Sequence, residues 1–205
     1  MKEIEELKTY IKNKYEETRQ VVEGNKGSEI YRGHSRSLST DIEDAIAIFI
    51  SKLLPTCKVF IDPSINVGGK NNRPDILIID KNNKTIGMIE VKSNMGWCRN
   101  ASDVIAKIEQ NNKDFSDKFL RCEFSENNNK AKNKEEPKIV QYGNDVKLFL
   151  VSFTKDNCSI KKHDNNKEDA KKANVSYFTL FSGWYGSLVD SDINKFAEEL
   201  MALKK

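Results

Sequence analysis

Two carboxylates and a lysine lie on neighbouring segments that both look like strands. Asp75 is in the segment 74–80 (PDILIID), and Glu90 and Lys92 are in the segment 84–92 (KTIGMIEVK). Both segments are rich in the β-branched and other apolar residues typical of strands. Asn82-Asn83 lies between them, and asparagine tolerates the left-handed conformation of tight hairpin turns. The sequence therefore predicts a β-hairpin that carries Asp75, Glu90 and Lys92.

A turn centred on Asn82-Asn83 sets the register of this hairpin. It pairs Lys81 with Lys84 and Ile79 with Ile86, and it places Asp75 directly opposite Glu90. Directly opposed residues have Cβ atoms about 4.5–5.5 Å apart. Lys92 shares their face, because side chains alternate along a strand. Toward the turn, that face continues through apolar residues, namely Leu77, Met88, Ile79 and Ile86.

Opposed carboxylates destabilise a strand pair unless one takes up a proton or a cation lies between them. Two hard oxygen donors with room for water and phosphate suit Mg²⁺, and we expect Mn²⁺ to substitute. Such a metal polarises a phosphodiester and lowers the pKa of a bound water. Lys92 is placed to orient that water or to stabilise charge on the phosphate. The alternative is that these are ordinary charges at a strand end.

Pro74-Asp75 followed by Glu90-Val91-Lys92 resembles the PD-(D/E)xK motif. That nuclease superfamily includes type II restriction endonucleases and many repair and recombination nucleases. The resemblance implies an α/β restriction-endonuclease-like fold, with an α-β-β-β-α-β core of mixed sheet and flanking helices over residues 38–153. It also implies that Asp75 and Glu90 ligate the metal, that Val91 adds its main-chain carbonyl, and that Lys92 assists the attacking water.

Many members of this superfamily carry a further acidic residue on the helix before the first core strand. Glu43 is the matching position, on a helix predicted from about Thr40 to Leu54. It borders the apolar stripe of that helix, so it could face the sheet. Thr40-x-x-Glu43 also fits a capping box, in which the glutamate bonds back to its own N-cap. Both roles stay open.

Candidate DNA-binding residues lie in three loops around these positions. A helix N-terminus preceded by basic and hydroxyl side chains binds phosphate well. Residues in the loops next to Asp75 and Lys92 should lie close to a bound substrate, although each could also be an ordinary loop residue. The candidates are Arg36 and Ser37 before the Glu43 helix, Lys70 and Arg73 before Asp75, and Asn94 and Arg99 after Lys92.

The remaining elements surround this core. Helices are predicted over 2–23, over 101–120 and from about Asp190, and strands over 57–61, 146–153 and 175–181. Residues 123–138 and 154–172 have few apolar residues, and we expect both to be mobile loops. We expect one domain over 1–205, made of an N-terminal helix and linker (1–37), the catalytic core (38–153) and a C-terminal strand and helix (154–205).

Composition excludes some classes of protein. The chain of 205 residues is 38% hydrophobic and 32% charged, and its net charge of +3 gives little support to nucleic-acid binding by bulk charge alone. The four cysteines, far apart, form no zinc-type ligand pair. The N-terminus lacks the apolar region of a signal peptide, and no run approaches the ~20 apolar residues of a membrane span. We expect a cytoplasmic protein with no membrane partner.

The sequence thus predicts a Mg²⁺-dependent endonuclease that hydrolyses DNA phosphodiester bonds. Its length favours a stand-alone type II restriction endonuclease, which would cut double-stranded DNA as a homodimer because two symmetric copies can cut both strands. One alternative is a repair, nicking or phage-defence nuclease without a defined recognition sequence. Another is a catalytically silent DNA-binding module of the same fold.

Overall fold

The structure is a computed structural model that describes residues 2–23, 39–95, 101–124, 136–155, 158–182 and 187–203. Its helices are α1 (Lys2–Glu23), α2 (Ser39–Leu53), α3 (Ala101–Phe115), α4 (Ile160–Lys172) and α5 (Asp190–Met201). Its strands are β1 (Lys58–Ile61), β2 (Ser64–Val67), β3 (Lys70–Asn72), β4 (Ile76–Ile79), β5 (Lys84–Asn94), β6 (Lys118–Glu123), β7 (Lys138–Thr154) and β8 (Val175–Phe181).

The strands of the described ranges form one mixed sheet. Its order is β1-β4-β5-β7-β6-β2-β3, and β8 pairs with the second half of β7. Most neighbouring strands are antiparallel, whereas β5–β7 and β7–β8 are parallel. The predicted α/β class, with a mixed sheet flanked by helices, is confirmed. No helix in these ranges combines the length and apolar character needed to cross a membrane.

Two apolar cores cover the two faces of the sheet. The first core joins α1, α2 and α5 to residues such as Ile76, Ile89 and Val91. The second core joins α3 and part of α4 to the opposite face, which includes Leu77 and Met88. The apolar strands are buried on both sides, as expected for strands covered by helices.

The β4–β5 turn differs from the predicted one. The Asp80 N–H donates to the Lys84 carbonyl (2.8 Å) and the Asn83 N–H donates to the Asp80 carbonyl (3.1 Å), so the loop has three residues rather than two. Asn83 has a φ of 59°, which is the left-handed last residue of this loop type. The Asp80 carboxylate also accepts the N–H groups of Asn82 and Lys84, each at 2.8 Å, and so stabilises the longer loop.

A β-bulge at Ile86 then restores the predicted register. Ile79 pairs with Thr85 and not with Ile86, but Ile78 pairs with Gly87 and Ile76 with Ile89. Because the bulge adds one residue to β5, the odd loop and the bulge cancel toward the open end of the hairpin. Ile86 itself packs against the first core, so its predicted place on the Asp75 face was wrong.

Several other boundaries also differ. The helix predicted over 101–120 ends at Phe115, and β6 follows after a turn in which Asp117 has a φ of 57°. The strand predicted from 146 begins at Lys138. The mobile loop predicted over 154–172 is wrong for residues 160–172, which form α4; this helix is N-capped by Ser159 and buries His163, Asn166 and Ala170. Of the loop predicted over 123–138, residues 125–135 lie outside the described ranges.

Candidate active site

Asp75, Glu90 and Lys92 lie together at the open end of the β4–β5 hairpin. The last paired residues at this end are Ile76 and Ile89. Asp75 directly precedes Ile76 and Glu90 directly follows Ile89, so both lie just beyond the last pair. The Lys92 Nζ lies 2.7 Å from Glu90 Oε1 and 3.6 Å from Asp75 Oδ2. The ammonium group therefore bridges the two carboxylates that the register brings side by side.

These three side chains are largely withdrawn from water. The side chain of Glu90 is 5% exposed, that of Asp75 is 19% exposed and that of Lys92 is 28% exposed. Leu77 and Met88, which are next to them on the same face, are buried in the second core. The charges thus lie at the rim of an apolar surface, where electrostatic interactions are stronger than in water.

The main chain of Val91 is part of the same network. Its N–H donates to Asp75 Oδ2 (2.6 Å), and its carbonyl accepts from Lys92 Nζ (3.0 Å). Burial raises the pKa of Asp75, and the charge of Glu90 raises it further. The nearby Lys92 and Lys107 and the Val91 N–H oppose this rise. Their opposition is incomplete, so the pKa of Asp75 stays above its usual value.

Glu43 lies on α2 and is partly buried. Its pKa is raised from 4.5 to about 7, mainly by burial and then by the charges of Asp75 and Asp62, while Lys92 lowers it. The charges of Asp75 and Lys92 therefore act on the Glu43 carboxyl through space. Because α2 begins at Ser39, Thr40 lies inside the first turn rather than at the N-cap. This position does not suit the capping box, and a role for Glu43 beside Asp75 remains a prediction. We call Glu43, Asp75 and Glu90 the acidic cluster.

Two residues around the acidic cluster were not predicted. Asp62 follows β1, its N–H donates to the Asp75 carbonyl (2.8 Å), and its carboxylate adds negative charge near Glu43. Lys107, on α3, places its Nζ 3.2 Å from Glu90 Oε1. An indication of Lys107 was present in the sequence, because it directly precedes Ile108, one of the apolar residues that α3 buries. A lysine next to that buried stripe lies close to the sheet. No comparable signal marked Asp62.

The predicted DNA-binding residues are only partly described. Arg73 is half-exposed, but its guanidinium forms an ion pair with Asp62. Lys70 is exposed at the start of β3, in the β2–β3 hairpin between Asp62 and Arg73. Asn94 ends β5, where its backbone pairs with Thr154, and its side chain is not described. Arg36, Ser37 and Arg99 lie outside the described residues.

The acidic cluster supplies the right type of donors for Mg²⁺, since carboxylate oxygens are the ligands this ion prefers. Burial is the largest cause of the raised pKa values of Glu43 and Asp75, so a bound cation would favour their ionised forms. Within the described ranges, however, no three acidic, histidine or cysteine residues are already arranged to hold a metal. Lys92 and Lys107 both contact Glu90 Oε1. The residues fit a divalent cation by chemistry and burial, but at least one ammonium group must move to admit it.

A separate cavity of about 390 Å³ lies between α4, α5 and β8. None of the predicted site residues lines it.

A search against protein-family models and a search of curated proteins each gave no match. The function must therefore be argued from the acidic cluster and the lysines around it.

Proposed function

We propose that this chain is a metal-dependent endonuclease of the PD-(D/E)xK type that hydrolyses phosphodiester bonds in DNA. The observation that carries the proposal is the position of the Lys92 ammonium, 2.7 Å from Glu90 and 3.6 Å from Asp75. Glu43, on α2, is close enough for the charges of Asp75 and Lys92 to act on its pKa. A structural ion pair needs one carboxylate, whereas two carboxylates bridged by one lysine, with a third acidic residue influenced by them, suit binding of a metal and a phosphate.

The order of elements supports the same proposal. Helix α2 is followed by β1, β4 and β5, which are antiparallel neighbours in the sheet. Helix α3 then connects β5 to β7, which is parallel to it. This is the α-β-β-β-α-β order that the PD-(D/E)xK resemblance implies, with the β2–β3 hairpin and β6 as additions. We therefore propose a restriction-endonuclease-like core.

Glu43, Asp75, Glu90 and the Val91 carbonyl would hold Mg²⁺ or Mn²⁺. The bound metal would polarise the scissile phosphate and lower the pKa of a coordinated water. Lys92 donates to Glu90 and to the Val91 carbonyl, so its ammonium is held beside the groups that would bind the metal. Its role is to orient that water and to stabilise the developing negative charge.

Within this reaction class, we favour a type II restriction endonuclease acting in the cytoplasm on double-stranded DNA as a homodimer. Two symmetric copies place one acidic cluster at each strand of the duplex. A nuclease without sequence specificity would use the same chemistry. The distinction depends on residues that read bases, for which Asn94 and Arg99 are the candidates by position.

A catalytically silent DNA-binding module is the second candidate. It is favoured by the two lysines that already neutralise Glu90 and by the absence, within the described ranges, of a ready three-residue metal group. Such a protein would bind DNA without needing Mg²⁺ for any reaction.

The test is incubation of the protein with supercoiled plasmid and with phage DNA in Mg²⁺, beside an Asp75→Asn control. Discrete bands are expected for a restriction endonuclease, and a smear for a nuclease without specificity. Intact DNA that is nevertheless retarded in a gel shift would support the binding module. Intact DNA with no retardation would overturn both candidates.

A further inference from the structure

Lys107 reaches the acidic cluster from a different element than Lys92. It projects from α3, which packs on the sheet face that carries Glu90. Its Nζ lies 3.2 Å from Glu90 Oε1, the same oxygen that Lys92 contacts at 2.7 Å. One buried carboxylate oxygen therefore faces two ammonium groups, which repel each other.

The two lysines are held very differently. Lys92 is 28% exposed, and it contacts the Val91 carbonyl and Asp75 as well as Glu90. Lys107 is 56% exposed, and Glu90 is its ionic partner within the described ranges. A long, exposed lysine leaves such a single contact at little cost, because water solvates its ammonium well. Lys107 is therefore the lysine that can leave Glu90.

We infer that Lys107 is an exchangeable counter-ion of Glu90. Without metal, it neutralises the carboxylate and holds it toward the acidic cluster. When a divalent cation binds Glu90, the carboxylate would face three positive charges, so the Lys107 ammonium, which is held less firmly than that of Lys92, moves away. Its long, exposed side chain then contacts a phosphate of DNA that lies over the cluster. This role rests on the proposed function and makes Lys107 a positioning residue.

Two opposite consequences follow from this exchange. Removing the Lys107 charge removes a competitor, so the cation should bind more tightly. The same change removes a positive charge from the DNA-facing side, so DNA should bind more weakly. An exposed lysine of α3 that does not contact Glu90 would change neither affinity to a comparable extent.

The first measurement is calorimetric titration with Mn²⁺ alone into wild type, Lys107→Met, Lys107→Gln and Lys113→Met. Lys113 is the matched control, since it lies on the same helix and is similarly exposed but pairs with Glu109 at 3.0 Å. Both Lys107 variants should bind Mn²⁺ about two- to fivefold more tightly than wild type, a range set by the modest strength of exposed ion pairs. Lys113→Met should match wild type.

The second measurement is a gel-shift titration with duplex DNA in Ca²⁺, where both Lys107 variants should bind several-fold more weakly than Lys113→Met. Asp75→Asn is titrated as well, to show whether Mn²⁺ binds at the acidic cluster. If wild type binds Mn²⁺ through Asp75 but the Lys107 variants bind it no more tightly, the Lys107 exchange is refuted and the nuclease proposal stands. If neither wild type nor the Lys107 variants bind Mn²⁺, the exchange and the nuclease proposal are both overturned.

Discussion

Replacing Glu43 with glutamine should stabilise the metal-free protein at high pH. Glu43 lies on α2 near Asp75 and Asp62, and burial together with those two charges raises its pKa from 4.5 to about 7. The unfolded chain therefore loses this proton at a lower pH than the folded protein. The resulting loss of stability is absent below about pH 4.5, grows up to about pH 7 and is complete above it.

The size of this effect follows from the same two values. The difference between 4.5 and about 7 corresponds to about 3 kcal/mol of unfolding free energy, at about 1.36 kcal/mol per pKa unit. Glu43 is only partly buried, so solvent screening reduces this, and we expect about 1–2 kcal/mol at pH 8. Glutamine keeps the shape of the side chain and removes the charge.

The assay is urea unfolding of wild type and Glu43→Gln at pH 4.5 and pH 8 in EDTA. The control is Glu198→Gln, which makes the same substitution at an exposed glutamate of α5. Glu43→Gln should be more stable than wild type at pH 8 and nearly equal at pH 4.5. Millimolar Mn²⁺ should reduce the difference at pH 8, because the cation stabilises the ionised carboxylate. A Glu43→Gln variant that is less stable than wild type at pH 8 in EDTA would refute the placement of Glu43.

Three further predictions concern the cluster and the elements that position it. Mg²⁺ or Mn²⁺ at about ten times its Kd should stabilise wild type by about 1.4 kcal/mol, measured as a rise in Tm, and Asp75→Asn should show no rise. Asn83→Ala should lower the unfolding free energy by about 1–2 kcal/mol, because the φ of 59° at this position is costly for alanine and Lys58 loses its 2.8 Å hydrogen bond to Asn83. An unchanged midpoint in urea unfolding would contradict the described turn. Arg73→Ala should weaken DNA binding and flatten its dependence on salt, and an unchanged slope would exclude a phosphate contact.

The hairpin was largely predictable because side-chain alternation and the buried face both constrain it. Placing Asp75 next to Glu90 required the correct register at the open end. The predicted turn was one residue too short, and the bulge at Ile86 was not predicted. The prediction of neighbouring carboxylates survived because these two differences compensate. A bulge of this kind depends on packing against both cores, which a strand pattern alone does not reveal.

The missed elements lack the usual periodic signals. Strand β6 exposes Phe119, at 75%, and buries Leu120 and Cys122, so its apolar residues read as the continuation of α3. Helix α4 buries His163 and Asn166 rather than an apolar stripe, so its sequence resembles a polar loop. In both cases tertiary packing, and not local pattern, decides the structure.

The group formed by Asp75, Glu90 and Lys92 was predictable from spacing, whereas the residues around it were not. These three are connected by one hairpin, so local geometry brings them together. Lys107 and Asp62 join them from α3 and from the end of β1, and their positions depend on how helix and sheet pack. Residues contributed by separate elements need the three-dimensional arrangement.

The most direct test of the proposed site is a comparison of cleavage and binding in Lys92→Ala. Cleavage of plasmid DNA is followed over time in Mg²⁺, and DNA binding is measured by gel shift in Ca²⁺, with Lys113→Met as the matched control. Lys92→Ala should bind DNA within a few-fold of wild type and cut it slowly or not at all, because it loses the group that orients the water and stabilises the phosphate. Lys113→Met should behave as wild type does. Cleavage by Lys92→Ala at the wild-type rate would contradict the PD-(D/E)xK assignment.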